Sequence, residues 1–173
     1  HNVEAASIDM SSLSSTLSGA SATATKVVFG YIDEYDTENM TLLTDNNNIG
    51  HYQDGNGVHY FLSDSEISPS QISYLFQGNT VLEEVEISNL NTSSITDFGY
   101  LFHGCTSLRV ASLNGLNTSS AQKLTCMFQN CESLSSIDLS GFDTRNVTNY
   151  SGMFNTCKSL SSLDLPSFTY LNG

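Results

Sequence analysis

The stretch Gly99-Tyr100-Leu101-Phe102-His103-Gly104-Cys105-Thr106-Ser107-Leu108 returns as Thr125-Cys126-Met127-Phe128-Gln129-Asn130-Cys131-Glu132-Ser133-Leu134. The two copies are 26 residues apart, and Leu75-Phe76 and Met153-Phe154 carry the same spacing outward on either side. Three residues past each Phe stand Asn79, Cys105, Cys131 and Cys157. An L-x-x-L-x-L pattern follows at Leu82/Val85/Ile87, Leu108/Ala111/Leu113, Leu134/Ile137/Leu139 and Leu160/Leu163/Leu165. Then come Asn91-Thr92-Ser93, Asn117-Thr118-Ser119 and Asp143-Thr144-Arg145. A fixed period of this length, without insertions, is the signature of stacked repeats.

Each repeat divides into two parts. The L-x-L segment alternates with period two and reads as a short strand with one face inward. The other part places apolar residues at i, i+3, i+6 and i+7, as in Val147, Tyr150, Met153 and Phe154. That spacing predicts a helix of about two and a half turns. Ser94, Ser120 and Asn146 stand where N-caps belong, and Gly78, Gly104 and Asn130 stand at the left-handed C′ position. Thr156 departs from that last pattern. One period earlier, Ser68, Pro69 and Gln71 predict a capped helix near residue 68. The expected fold class is therefore α/β: a right-handed leucine-rich-repeat solenoid of about four coils over residues 68–173, each a parallel strand plus a short helix.

Outside the array, residues 1–25 are rich in Ser, Thr and Ala and read as a disordered linker with a short frayed helix. Residues 26–67 read as an antiparallel β cap covering the first coil, with strands near 27–29, 40–43 and 58–62. Asp54-Gly55-Asn56-Gly57 is a hairpin signal within it. No C-terminal cap is evident in the sequence. Either further chain follows or Pro166, Phe168 and Tyr170 close the end. The start at His1-Asn2 reads as a trimmed terminus, and the first 25 residues, with no Lys or Arg, are not a signal peptide.

Composition narrows the function. The 173 residues carry 18 acids against 5 Lys and Arg, a net charge of −13, which argues against nucleic acid or an anionic membrane surface as partner. The acidity is uneven: residues 1–67 hold 10 acids and 1 base, the repeats 8 and 4. Charged residues are only 13%, and Ser, Thr and Asn make up 60 of 173. No apolar run is long enough to span a membrane.

The string Asp143-Thr144-Arg145-Asn146-Val147-Thr148-Asn149-Tyr150, with Met153-Phe154, Cys157, Ser159-Leu160 and Leu163-Asp164-Leu165, resembles the BspA-type leucine-rich-repeat surface proteins. Their repeats read roughly F-D-T-S-N-V-T-x-M-x-x-M-F-x-x-C-x-S-L-x-x-L-D-L-S. The likeness covers residues 68–173, and Val27-Val28-Phe29-Gly30 is similar to the cap preceding such arrays. Departures are Asn79 for Cys, Ala121 for Val and Tyr170 for Thr. The resemblance implies secreted or cell-wall-attached proteins of host-associated bacteria, often adhesins for matrix or other host proteins, with no catalytic residues.

Candidate sites are few. Stacked Cys105, Cys131 and Cys157 read as small buried apolar groups, since neighbouring coils set Cβ atoms about 5 Å apart, beyond the ~3.8 Å of a disulfide. Cys126 lies off that ladder. No C-x-x-C pair supports zinc. Asp45-Asn46-Asn47-Asn48-Ile49-Gly50 lacks the ligand set of a calcium loop and reads as a turn. Glu84 and Glu86 lie about 6.5–7 Å apart on one exposed strand, without the cleft a glycosidase pair needs. His1, His51, His59 and His103 match no nucleophile motif.

No catalytic residue, cofactor or metal ligand is assigned. The candidate binding face is the concave sheet, formed by Glu84, Glu86, Val110, Ser112, Asn114, Ser136, Asp138, Ser162 and Asp164. The expected function is a non-enzymatic, secreted recognition protein at a bacterial surface, adhering to a host extracellular-matrix protein or glycan. The alternative is a rigid spacer displaying another module, and a third, weaker reading is a hydrolase built on the N-terminal unit.

Overall fold

The computed structural model describes residues 6–8 and 13–161. Eight strands form in them: β1 Ala6–Ile8, β2 Lys26–Tyr31, β3 Thr41–Asn46, β4 Ile49–Gln53, β5 His59–Ser63, β6 Ile67–Pro69, β7 Glu84–Ile87 and β8 Val110–Ser112. A single helical turn, α1, spans Ser14–Leu17, and Ile32–Glu34 is a 3-10 turn. The main sheet has six strands in the order β3-β4-β5-β2-β7-β8, and β1 pairs with β6 alone. It is mixed: β3–β4 and β4–β5 are antiparallel, while β2–β5, β2–β7 and β7–β8 are parallel.

The α/β expectation is thus overturned. The protein is mostly sheet and turn, and the helix expected in every coil is absent. Where a helix was predicted, two kinds of hydrogen bond alternate along the chain. Tyr100, Phe102 and Gly104 donate their backbone N–H groups to Thr125, Met127 and Gln129 in the next coil, at 2.8–2.9 Å. His103 and Cys105, between and after them, close tight turns on Tyr100 and Phe102. The next repeat does the same: Cys126, Phe128 and Asn130 donate to Ser151, Met153 and Asn155.

A helix sends each N–H to the residue four earlier. Here alternate N–H groups leave the coil, so that ladder cannot form. A segment of two turns, containing Ser94, Thr96 and Gly99, is also a poor isolated helix. The left-handed residues complete the turns: Tyr74, Tyr100, Cys126 and Gly152 have φ of 53–67°, and Gly78, Gly104, Asn130 and Thr156 of 61–75°. The second set is where C′ residues were placed, with Thr156 held in the same conformation despite its branched side chain.

The other expected helix signals are also reassigned. Ser68 and Pro69 lie in β6 rather than opening a helix. Ser120 and Asn146, read as N-caps, instead donate to the carbonyls of Ser93 and Ser119 one coil back, at 2.6 and 2.7 Å. The strand expectation holds at β7 and β8 only. Residues 136–138 are not a strand. The fourth segment, 162–164, lies outside the described residues.

Inside the stack the repeat is one continuous column. Phe76, Phe102, Phe128 and Phe154 lie ring on ring, with centroids 5.2–5.4 Å apart and planes within 13°. Cys105, Cys131 and Cys157 donate their S–H groups to the carbonyls of Phe76, Phe102 and Phe128 at 3.0–3.2 Å. Asn79 fills the same place in the first coil because its neighbour differs: its Nδ2 donates to Ala24, and its Oδ1 accepts from Val81 and Leu82.

Residues read as a linker build that neighbour. β1 pairs with β6, Leu17 is fully buried, and the Gly19 N–H donates to the Gln77 carbonyl at 2.8 Å. β2 covers the strand side of the first coil. Within 26–67, expected as an antiparallel cap, β3–β4 and β4–β5 are antiparallel and the β2–β5 pairing is parallel.

Phe102 touches a ring on both sides, so its removal opens a hole in the middle of the column. Phe102→Ala is expected to cost about 3–5 kcal/mol, measured by chemical denaturation. A loss below about 1 kcal/mol would contradict the packed column.

Candidate functional site

The outward face of the main sheet is set by alternation. Val27, Phe29, Val85 and Ile87 alternate onto the core side and are buried, so Lys26, Val28, Glu84 and Glu86 share the other face, on which Val28 is also covered. Lys26 lies opposite Glu84 and Val28 opposite Glu86, while Glu84 and Glu86 face Val110 and Ser112 on the far side. Lys26 Nζ bridges the two acids, 3.2 Å from Glu84 and 3.4 Å from Glu86, and Arg109 reaches Glu84 at 3.6 Å. Burial pulls the Lys26 pKa down, but the hydrogen bonds and charges of both glutamates outweigh it and hold the group above its ordinary value.

Next to these charges lies an aromatic patch absent from the sequence reading. β5 sets Tyr60 opposite Val28. Tyr35, from the loop after the 3-10 turn, meets Tyr60 edge to face at 5.6 Å. Gly30 makes room for it, since a Cβ there would lie 2.6 Å from the Tyr35 ring. The Tyr60 hydroxyl donates to Asp54 at 2.9 Å, and Asp54 also accepts from the N–H groups of Asn56 and Val58 in the β4–β5 turn. Burial, then the bond to Asp54, pushes the Tyr60 phenol up to about 12. Burial, then the charge of Glu86, raises Tyr35.

The nine predicted face residues separate into groups. Glu84, Glu86, Val110 and Ser112 lie on adjacent strands, with Val110 49% exposed. Asn114 lines a separate polar cleft of about 240 Å³ with Glu66, Ser88, Asn91 and Asn117. Ser136 and Asp138 are exposed but lie beyond the last strand, and Asp138 Oδ1 accepts from the Ser140 N–H at 2.9 Å. Ser162 and Asp164 lie outside the described residues.

The Asn-Thr-Ser positions bond the backbone. Thr92 Oγ1 donates to the Asn117 carbonyl and accepts from its N–H, both at 2.8 Å, and Thr118 does the same with Asp143. The four cysteines are free thiols, and burial pushes Cys105 up to about 12 and raises Cys131 and Cys157. Asn47 and Asn48, both at positive φ, form the β3–β4 turn. Among the described residues no group of three or more His, Cys, Asp and Glu is placed to hold a metal. None of their helices is long and apolar enough to cross a membrane.

One buried polar pair was also missed. His51 on β4 and His59 on β5 sit diagonally across the hairpin, Nε2 to Nδ1 at 2.8 Å, and both are buried. His51 stacks on Phe61 at 4.3 Å. The hairpin register itself, running from the Asp54 turn, is the signal that places them together.

A stack of turns closed by a mixed sheet, with one charged and aromatic outward face, defines a repeat protein. Residues 70–169 match the family described as "Mycoplasma protein of unknown function, DUF285", and the chain belongs to it. No curated protein and no solved structure matches the chain.

Burial, then the charge of His59, lowers His51 to about 4, and burial lowers His59. Folding therefore favours the neutral form of both rings, whereas the unfolded histidines take up protons near pH 6.5. Stability is full above that value and is lost as the pH falls toward 4, by on the order of 2–3 kcal/mol. Denaturation at a series of pH values tests this: the His51→Gln, His59→Gln double variant should lose most of the slope between pH 6.5 and 4.

Proposed function

We propose that this chain is a non-enzymatic recognition protein displayed at a bacterial surface, binding a host matrix protein or glycan through the outward face of its main sheet. The observation that supports it is the meeting of Tyr35 and Tyr60 with Lys26, Glu84 and Glu86 on one side of the sheet. Tyrosine supplies a large, rigid contact with a polar tip, and is enriched among residues that dominate binding energy. The nine face positions read from the sequence include no aromatic anchor of this kind. Val110 and Ser112 extend the face toward the repeats. The similarity of 143–165 to BspA-type surface proteins supports secretion and adhesion as the setting.

The competing reading is a rigid spacer. It draws on the same stack, whose side chains are largely engaged in bonding one coil to the next.

Binding of the 173-residue chain to immobilised matrix proteins and mucin separates the two. A signal that drops about tenfold or more in Tyr35→Ala and in Val110→Asp, with the fold retained, is expected of the sheet face. A blank across a broad panel of host proteins and glycans favours the spacer. Binding that survives both substitutions moves the site elsewhere.

A further inference from the structure

β3 ends the six-stranded sheet and is paired on one side only, with β4. All six of its residues, Thr41 to Asn46, are exposed, and Leu42 and Leu43 are 49% and 44% open. Soluble proteins guard such an edge with lysine, with proline, with a bulge or by covering it. This strand contains neither residue. Its one irregularity is a bulge between Leu42 and Thr44, where Leu43 is the extra residue.

The surroundings are acidic and uncompensated. Asp33, Glu34, Asp36 and Glu38 lead into the strand and Asp45 lies on it, and none of the five forms an ion pair with a described residue. From Val27 to Leu108 the sequence contains no Lys or Arg at all. Lys26, the base just before that span, is already held by Glu84 and Glu86.

We propose that the free edge of β3 is a docking site for an extended segment of a partner protein, one with alternating small apolar residues flanked by Lys or Arg. Such a segment adds a seventh strand. Its backbone satisfies the outward N–H and C=O groups of β3, its apolar side chains cover Leu42 and Leu43, and its basic residues meet Glu38 and Asp45. A second copy of this chain fits poorly, because pairing β3 with itself would bring the same five acids together and oppose two bulges. Leu42 lies opposite Tyr52, which lies opposite Tyr60, so this edge borders the face bearing Tyr35 and Tyr60 and differs from it in offering the unpaired backbone of β3.

The test uses the 173-residue chain and two capped peptides, Lys-Thr-Val-Thr-Val-Thr-Arg-Lys and the same peptide with Glu at each basic position. At low ionic strength the basic peptide is expected to bind on the order of tenfold or more tightly than the acidic one. Binding should slow exchange of the outward amides of Thr41–Asn46. Glu38→Lys with Asp45→Lys should weaken it about tenfold, and both side chains are exposed, so the fold is retained. Leu43→Pro should abolish the slowed exchange. Absence of binding, equal binding of the two peptides, or binding that leaves the 41–46 amides unchanged would each overturn the proposal.

Discussion

The hydrogen bonds that alternate amides send from one coil into the next hold this protein in shape. Each is an ordinary backbone bond of about 0.5–1.5 kcal/mol net, but they recur at fixed positions in three successive coils: Phe76 to Leu101, Phe102 to Met127, Phe128 to Met153. They set the spacing that lets the phenylalanines stack. That spacing in turn brings each cysteine S–H within reach of the carbonyl one coil back. Ser120, Ser133 and Ser159 reach back to the same neighbour, closing their bonds at 2.6 Å. Part of the Ser, Thr and Asn content of the chain serves this lattice.

The ladder also explains the ends and edges. At the N-terminal end Gly19 and Ala24 supply groups that a preceding coil would have supplied, and Asn79 replaces cysteine because it must bond Ala24 and cap its own turn. On the other side the parallel strands run through β2, β7 and β8, then stop. The sheet continues instead through β5, β4 and β3, which places the tyrosines beside Lys26 and leaves β3 as the open edge. The docking edge thus belongs to the unit before the repeats, and the candidate face forms where that unit joins the first two repeat strands.

Much of this was legible in the sequence. The period, the phenylalanine column, the buried cysteines and the turn at Asp54–Gly57 all follow from spacing. The helices did not survive, because apolar spacing of i, i+3, i+7 fits a stack of tight turns as well as it fits a helix. The deciding residues are Tyr74, Tyr100 and Cys126, whose side chains give no hint of positive φ; only Gly152 at that position does. β4 was missed because Gly50 and His51 separate its two good strand formers, Ile49 and Tyr52. Tyr35 and Tyr60 were missed because they lie outside the repeats, and the face was read from ladder positions alone. The family match covers the repeats and describes a family of unknown function, so the functional reading rests on the face.

The most direct test of this account is a through-hydrogen-bond NMR coupling on the isotope-labelled chain. The Phe102 amide nitrogen should couple to the Met127 carbonyl carbon, and the Tyr100 nitrogen to that of Thr125. Coupling of the Phe102 nitrogen to the Phe98 carbonyl, four residues back in its own coil, would show a helix and contradict it.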